Sequence, residues 1–275
     1  MSVANRIDAR FAQLKASGRK GLIPFMTAGD PLPDATVAIM HALVAAGCDL
    51  IELGMPYSDP VADGPVIQHA GERAIAKGVG LRDVLGWVRE FRLHDASTPV
   101  ALMGYLNPIE FYGYKSFAQD AVQAGVDGVL IVDVPVEEAA TLAPLREAGL
   151  CQIFLVAPTT TEQRLATIRA MAQGFVYYVS FNGITGANRI EPDAVRAKVK
   201  TIKAGGDIPV AVGFGVRDAE TAANIAAFAD AVVIGSALVA RLAECSSADA
   251  ACKEATDFLA PIRTALDRSA AFVAH

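Results

Sequence analysis

LIPFMTAGDP, residues 22–31, is the stretch on which the fold turns. Its first five residues are continuously apolar, and the run breaks at Gly29, Asp30 and Pro31. That pattern predicts a strand covered on both faces, followed by a turn. An open doubly wound sheet would want a GxGxxG fingerprint directly after such a first strand, and none is present. Seven further runs of the same kind follow: Leu50–Leu53, Val100–Met103, Gly128–Val132, Gln152–Val156, Phe175–Ser180, Ile208–Val212 and Ala231–Ile234. Most successive runs start 23 to 33 residues apart, the length of one strand–helix unit. The interval from Leu50 to Val100 is 50 residues and must hold extra structure.

The intervening stretches have helical spacing. Val84, Trp87, Val88 and Phe91 fall on one face, and Ile7, Phe11 and Leu14 do the same ahead of the first strand. Thr159–Glu162 reads as a capping box opening the fifth helix. Gly47, Gly125, Gly149 and Gly205 stand where helices should stop. A long helix, roughly 248–269, closes the chain. Eight strands in unbroken alternation with helices predict an α/β fold: one (β/α)8 TIM barrel domain over residues 1–275. An extra helix is expected at the N-terminus, and more after the second and eighth strands.

Composition narrows the function classes. Of 275 residues, 53% are hydrophobic and 20% charged, too apolar for a disordered chain. The net charge of -6 is the wrong sign for a duplex binder, so nucleic acid is not an expected partner. Mean hydropathy is +0.35, yet no stretch reaches the ~20 apolar residues of a membrane span. The polar start MSVANRIDARFAQLK has no apolar signal core. A soluble cytoplasmic protein is expected. Cys48, Cys151, Cys245 and Cys252 form no CxxC pair, and His41, His69, His94 and His275 do not cluster. A metal site is not expected.

A barrel carries its chemistry at the C-terminal ends of its strands. In Asp49-Leu50-Ile51-Glu52-Leu53-Gly54, alternation sends Ile51 and Leu53 to the helices, and Leu50 and Glu52 inward. A carboxyl group held there should have a raised pKa, suited to general acid/base work or, alternatively, to a structural role with backbone donors. The next loop offers Asp59 and Asp63, as a second acidic centre or as an Asx-turn and a helix cap. Gly213-Phe214-Gly215 and Gly235-Ser236 follow the last two runs, where barrels often bind phosphate through backbone N–H groups. Thr185 between Gly183 and Gly186 suggests a lid with a hydroxyl donor, or an ordinary surface loop. Only one of Tyr177 and Tyr178 can face the barrel. Phe25, Met103, Tyr105, Leu130 and Phe154 or Leu155 would line a flat apolar pocket, or be plain core.

Taken together these segments resemble the tryptophan synthase alpha chain family. The resemblance rests on PFMTAGDP (24–31), IELGMPYSDPVADGP (51–65), the Tyr105–Asn107 segment, VDVPVEE (132–138), YYVSFNGITG (177–186), GFGV (213–216) and the Gly235-Ser236 turn. It implies a lyase of tryptophan biosynthesis that splits indole-3-glycerol phosphate into indole and glyceraldehyde 3-phosphate by a retro-aldol reaction. Glu52 would match the general acid/base, Asp63 the carboxylate facing the indole N–H, and Tyr177 the active-site tyrosine. Gly186, Gly213, Phe214, Gly215, Gly235 and Ser236 would hold the phosphate. Leu22, Met103, Tyr105, Leu130 and Thr185 would form the pocket and lid. No cofactor is implied in this chain; pyridoxal phosphate would sit on a partner beta chain, in an alpha2-beta2 tetramer. The lid pair Phe181-Asn182 and the residues Leu22 and Met103 depart from what many relatives carry. The alternatives are another phosphate-binding barrel, an isomerase or an indole-pathway synthase, and a non-catalytic partner subunit. None of the eight runs contains a lysine, which argues against a ring-closing synthase.

Overall fold

Residues 5–179, 192–213 and 215–273 are described by the computed structural model. The apolar runs form nine strands: β1 (Gly21–Thr27), β2 (Ile51–Gly54), β3 (Val100–Gly104), β4 (Gly128–Ile131), β5 (Cys151–Gln152), β6 (Phe154–Val156), β7 (Val176–Val179), β8 (Val210–Gly213) and β9 (Ala231–Ile234). All paired strands are parallel. Their order is β5-β4-β3-β2-β1-β9-β8-β7-β6. The two end strands are halves of one run interrupted at Ile153, whose N–H still bonds Val129 O at 3.0 Å. The ring is therefore an eight-stave (β/α)8 barrel whose fifth stave is hydrogen-bonded to β4 below and to β7 above. The sequence predicts that stave as one unbroken strand; the interruption is the correction.

Side chains divide into two layers. Ile51, Leu53, Leu102, Val129, Val212 and Val232 pack outward against the helices. Ile23, Leu50, Ala101, Leu130, Phe175, Ala211 and Val233 fill the barrel interior. The helix Arg6–Ala16 adds Ile7, Phe11 and Leu14 to that inner cluster, with the Phe11 and Phe175 rings 5.5 Å apart. It is a plug in the N-terminal end of the barrel, each buried side chain contributing roughly 1.5–3 kcal/mol.

Extra helices follow the second strand (Pro65–Ala76 and Leu81–Phe91) and the last (Ser236–Leu242 and Ala248–Val273). The third strand is also followed by two, Leu106–Tyr112 and Tyr114–Ala124. They are separated at Gly113, whose φ of +91° is left-handed backbone that favours glycine. The expected capping box at Thr159 does not form. Thr161 caps the helix Glu162–Met171 instead, its side chain accepting from Arg164 N–H.

One device recurs at the N-terminal rim. Asp49, Asp127 and Asp230 stand just ahead of β2, β4 and β9, and each makes a two-way bond to the start of a neighbouring strand. Asp49 N–H donates to Leu22 O, and the Asp49 carboxylate accepts from Leu22 N–H, both at 2.8 Å. Asp127 does the same with Val100, and Asp230 with Val210. Arg10 and Arg263 balance Asp49, Arg6 and Arg92 balance Asp127, and Lys203 balances Asp230. Asp49 and Arg263 are both buried, so removing Asp49 takes from Arg263 its buried counter-charge, leaving it only the half-exposed Asp267, and releases the clamp on Leu22. Asp49→Ala is expected to cost about 3–5 kcal/mol. It should appear as a lower urea midpoint at unchanged m-value, with turnover of the folded fraction retained.

Candidate active site

Alternation on β2 places Glu52 inside the barrel, in register with Phe25 on β1 and Ala101 on β3. It is 1% exposed, and neither carboxyl oxygen has a hydrogen-bond partner among the described residues. Burial, then the nearby charge of Asp63, pushes its pKa up to about 8. At neutral pH Glu52 is therefore mostly a neutral acid with a proton to give.

Asp63 comes from the loop after β2. Met55 N–H bonds Met103 O at one end of that loop, and Gln68 Nε2 donates to Asp63 O at the other. In between, Ala62 N–H donates to the Tyr105 hydroxyl at 3.0 Å, while the Tyr57 and Tyr105 rings lie 5.2 Å apart. The cap of the following helix is Gly64, with Pro65 first in the helix, so the Asp63 side chain is not spent on capping. Burial raises the Asp63 pKa to about 6, opposed by the Tyr105 hydroxyl beside it. Around neutrality the pair is thus one protonated acid and one carboxylate. The pair divides acid and anion roles as environments of unequal depth do in other enzymes.

Tyr177 is the inward member of its dipeptide and packs with the inner cluster, while Tyr178 joins the outer layer. Burial, Glu52 and Asp63 together raise its pKa well above that of a free phenol, so its hydroxyl stays protonated. Gly213 on the neighbouring strand makes room for this ring, since a Cβ there would lie 2.5 Å from the Tyr177 hydroxyl.

The mouth is lined by Phe25, Thr27, Met55, Tyr57, Asp63, Ile67, Met103, Tyr105 and Val132. Leu130 belongs to the inner cluster below it. Leu22 does not line it. Leu22 and Phe25 lie on opposite faces of β1, so Leu22 packs among the helices and Phe25 takes the pocket place. Phe154 likewise points outward, leaving Leu155 on the inside. Thr27 and Val132 are pocket residues that sequence reasoning passed over. The register Phe25↔Glu52 is the signal for Thr27, because it stands two residues further along the same face.

Gly213 ends β8, Gly215 has a φ of +59°, and Gly235 ends the β9 turn ahead of Ser236–Leu242. All three, with Ser236, stand at the C-terminal end of the barrel. The expected site residues Thr185, Gly186 and Phe214 lie outside the described residues. Among the described residues, no group of three or more His, Cys, Asp or Glu is placed to share a metal. No helix among them is long and apolar enough to cross a membrane.

A protonated acid and a carboxylate at the mouth of a parallel barrel are the pairing that enzymes use for general acid/base work. A family model of the tryptophan synthase alpha chain matches residues 11–266. The chain is 55% identical over 264 residues to the tryptophan synthase alpha chain of Xylella fastidiosa, covering 96% of this chain and 98% of that one. It is 56% identical to that of Ralstonia nicotianae, covering 96% and 99%. The crystal structure of tryptophan synthase subunit alpha from Legionella pneumophila superposes with a TM-score of 0.91 at 45% identity, covering 97% of this chain and 100% of that one. The chain belongs to the tryptophan synthase alpha chain family, the lyases that cleave indole-3-glycerol phosphate in tryptophan biosynthesis.

Proposed function

We propose that Glu52, Asp63 and Tyr177 carry out the cleavage of indole-3-glycerol phosphate. Glu52 gives its proton to the indole ring carbon that bears the glycerol chain. The ring nitrogen becomes cationic, and Asp63 accepts from its N–H. The glycerol hydroxyl next to the scissile bond then loses its proton to the Glu52 carboxylate. Its oxygen becomes the aldehyde oxygen of glyceraldehyde 3-phosphate, and the carbon–carbon electron pair returns to the ring as indole leaves. Acid and anion each stabilise charge that exists only on the way to the products. Tyr177, held neutral, offers a hydroxyl donor to the same centre. Gly186, Gly213, Phe214, Gly215, Gly235 and Ser236 hold the phosphate through backbone N–H groups and the serine hydroxyl, with Thr185 closing over Asp63. Met103, Tyr105 and Leu130 shape the pocket for a flat ring.

The observation that carries the reading is Glu52: a buried acid with no hydrogen-bond partner among the described residues, beside a second carboxylate. Every step is a proton transfer or a bond cleavage that side chains accomplish, so this chain needs no cofactor of its own. Its partner is a tryptophan synthase beta chain, carrying pyridoxal phosphate, in a cytoplasmic alpha2-beta2 tetramer. The test is an indole-release assay on the purified chain, with and without a beta chain. Release of indole and glyceraldehyde 3-phosphate in equal amounts, faster when the beta chain is present, is the expected result. No indole under either condition would sink the assignment.

A further inference from the structure

The loop after β2 that carries Asp63 is short of donors, and its tip is poorly packed. Pro56 and Pro60 have no N–H to give, and Val61 at the tip is 85% exposed. One tie to the rest of the barrel is Met55 N–H to Met103 O, at the β2 end. Another is Ala62 N–H to the Tyr105 hydroxyl. The last turn of the loop closes when Asp63 N–H donates to Pro60 O at 3.0 Å. Gln68 sits across that turn. Its Nε2 donates to Asp63 O at 2.8 Å and to Pro60 O at 3.3 Å, so one side chain grips both ends of the turn 60–63. Gln68 is the fourth residue of the helix Pro65–Ala76. Side chains lean toward the N-terminus of a helix, and this one reaches back over the first turn to the loop, while Ile67 beside it lines the mouth. The position is half-buried, where leucine, methionine or glutamate would form helix about as well. What glutamine adds is a pair of amide donors.

We propose that Gln68 is a positioning residue for Asp63: its amide holds the backbone of the turn 60–63 and so fixes the direction from which the Asp63 carboxylate enters the mouth. The proposal rests on the reading of Asp63 as the anion facing the indole N–H. The Asp63 carbonyl and its side chain leave the same Cα, so a fixed peptide leaves the carboxylate only its own two rotations. Gln68 does not touch the reacting atoms; it acts through the backbone of the residue that does. A misplacement of about 1 Å far from the chemistry can cost on the order of 10²-fold in rate. The loop keeps its bond from Ala62 to Tyr105 when the amide is removed, so a smaller loss, about tenfold, is expected for Gln68 alone.

The test is a double-mutant cycle in kcat/KM for indole-3-glycerol phosphate, on the full chain with its beta chain: wild type, Gln68→Met, Asp63→Asn and the double variant. Methionine keeps the length and the helix propensity of glutamine and loses only the donors. Gln68→Met is expected to lower kcat/KM about tenfold beside an intact Asp63 and less than about twofold beside Asp63→Asn, where no carboxylate is left to position. A merely structural role would reduce the folded fraction, and with it the rate, by the same factor in both backgrounds; equal factors overturn the proposal. A normal rate in Gln68→Met alongside lost turnover in Asp63→Asn also overturns it, and leaves the role of Asp63 standing. Normal turnover in Asp63→Asn itself overturns the reading of Asp63, and the proposal with it. Should Gln68→Met fail to fold, Gln68→Glu takes its place in the cycle. An acid suits the N-terminal part of a helix, but an ionised carboxylate can only accept. A loss confined to the background with Asp63 intact supports the proposal, and an equal loss in both overturns it.

Discussion

Glu52→Gln is expected to lose about 10²–10⁴-fold in turnover, the range a general acid/base supplies, and yet to fold more stably than the wild type at neutral pH. Both effects come from the burial of one carboxyl group. Its pKa is about 8 in the folded chain against the ordinary 4.5. Between those values the folded state holds a proton that the unfolded chain releases, so stability falls as pH rises through this window. At pH 7 the gap to the unfolded value is about 2.5 units, or about 3 kcal/mol of destabilisation. Glutamine cannot ionise and escapes that loss, less the desolvation of its own amide. Urea unfolding should show no advantage for Glu52→Gln below pH 4.5, and a growing one up to pH 8. A variant that is less stable than wild type at pH 8.5 would contradict the burial of Glu52 without a partner among the described residues. Normal indole release would remove its catalytic role.

Asp63→Asn is expected to lower turnover by about 10²–10³-fold, as removal of one preorganised charge-stabilising group does. Inhibition by glycerol phosphate should be nearly unchanged, because the proposed phosphate contacts are the glycine turns after β8 and β9 rather than Asp63. The pH profile separates this role from a structural one. In its proposed role Asp63, with a pKa of about 6, must be charged, so activity is expected to rise with pH through about 6. Glu52 must keep its proton, so activity falls through about 8. Wild type should therefore give a bell, whose two limbs belong to the coupled pair. Asparagine removes the acid limb. It also removes the charge that helps hold Glu52 protonated, so the alkaline limb should move to lower pH. An unchanged bell would leave Asp63 without a part in the reaction.

Much of this is legible in the order of residues. Unbroken alternation of apolar runs and amphipathic helices predicts the barrel, and the two-residue period of β2 alone turns Glu52 inward. Two aspartates mark the acid loop, though only the fold shows that Gly64 caps the helix and leaves Asp63 to the mouth. Other features are not legible, for identifiable reasons. A strand covered on both faces has no polar alternation, so nothing in LIPFM says that Phe25 rather than Leu22 faces the pocket. The interruption at Ile153 falls within an apolar run and depends on which neighbour each half bonds. Gly113 separates two helices that share similar composition. The aspartate clamps are visible as an Asp directly ahead of the runs beginning at Leu50, Gly128 and Ala231, but their meaning emerges only when neighbouring strands are set side by side.

Those clamps lie at the rim remote from Glu52 and Asp63, which has a practical bearing on how substitutions will present. Damage around Asp49, Asp127 or Asp230 should show as poor soluble yield from cells, with normal specific activity in whatever survives. Damage at the far rim should show as well-behaved, abundant and inert protein. Sorting variants by abundance against rate per molecule would therefore tell which end of the barrel was hit.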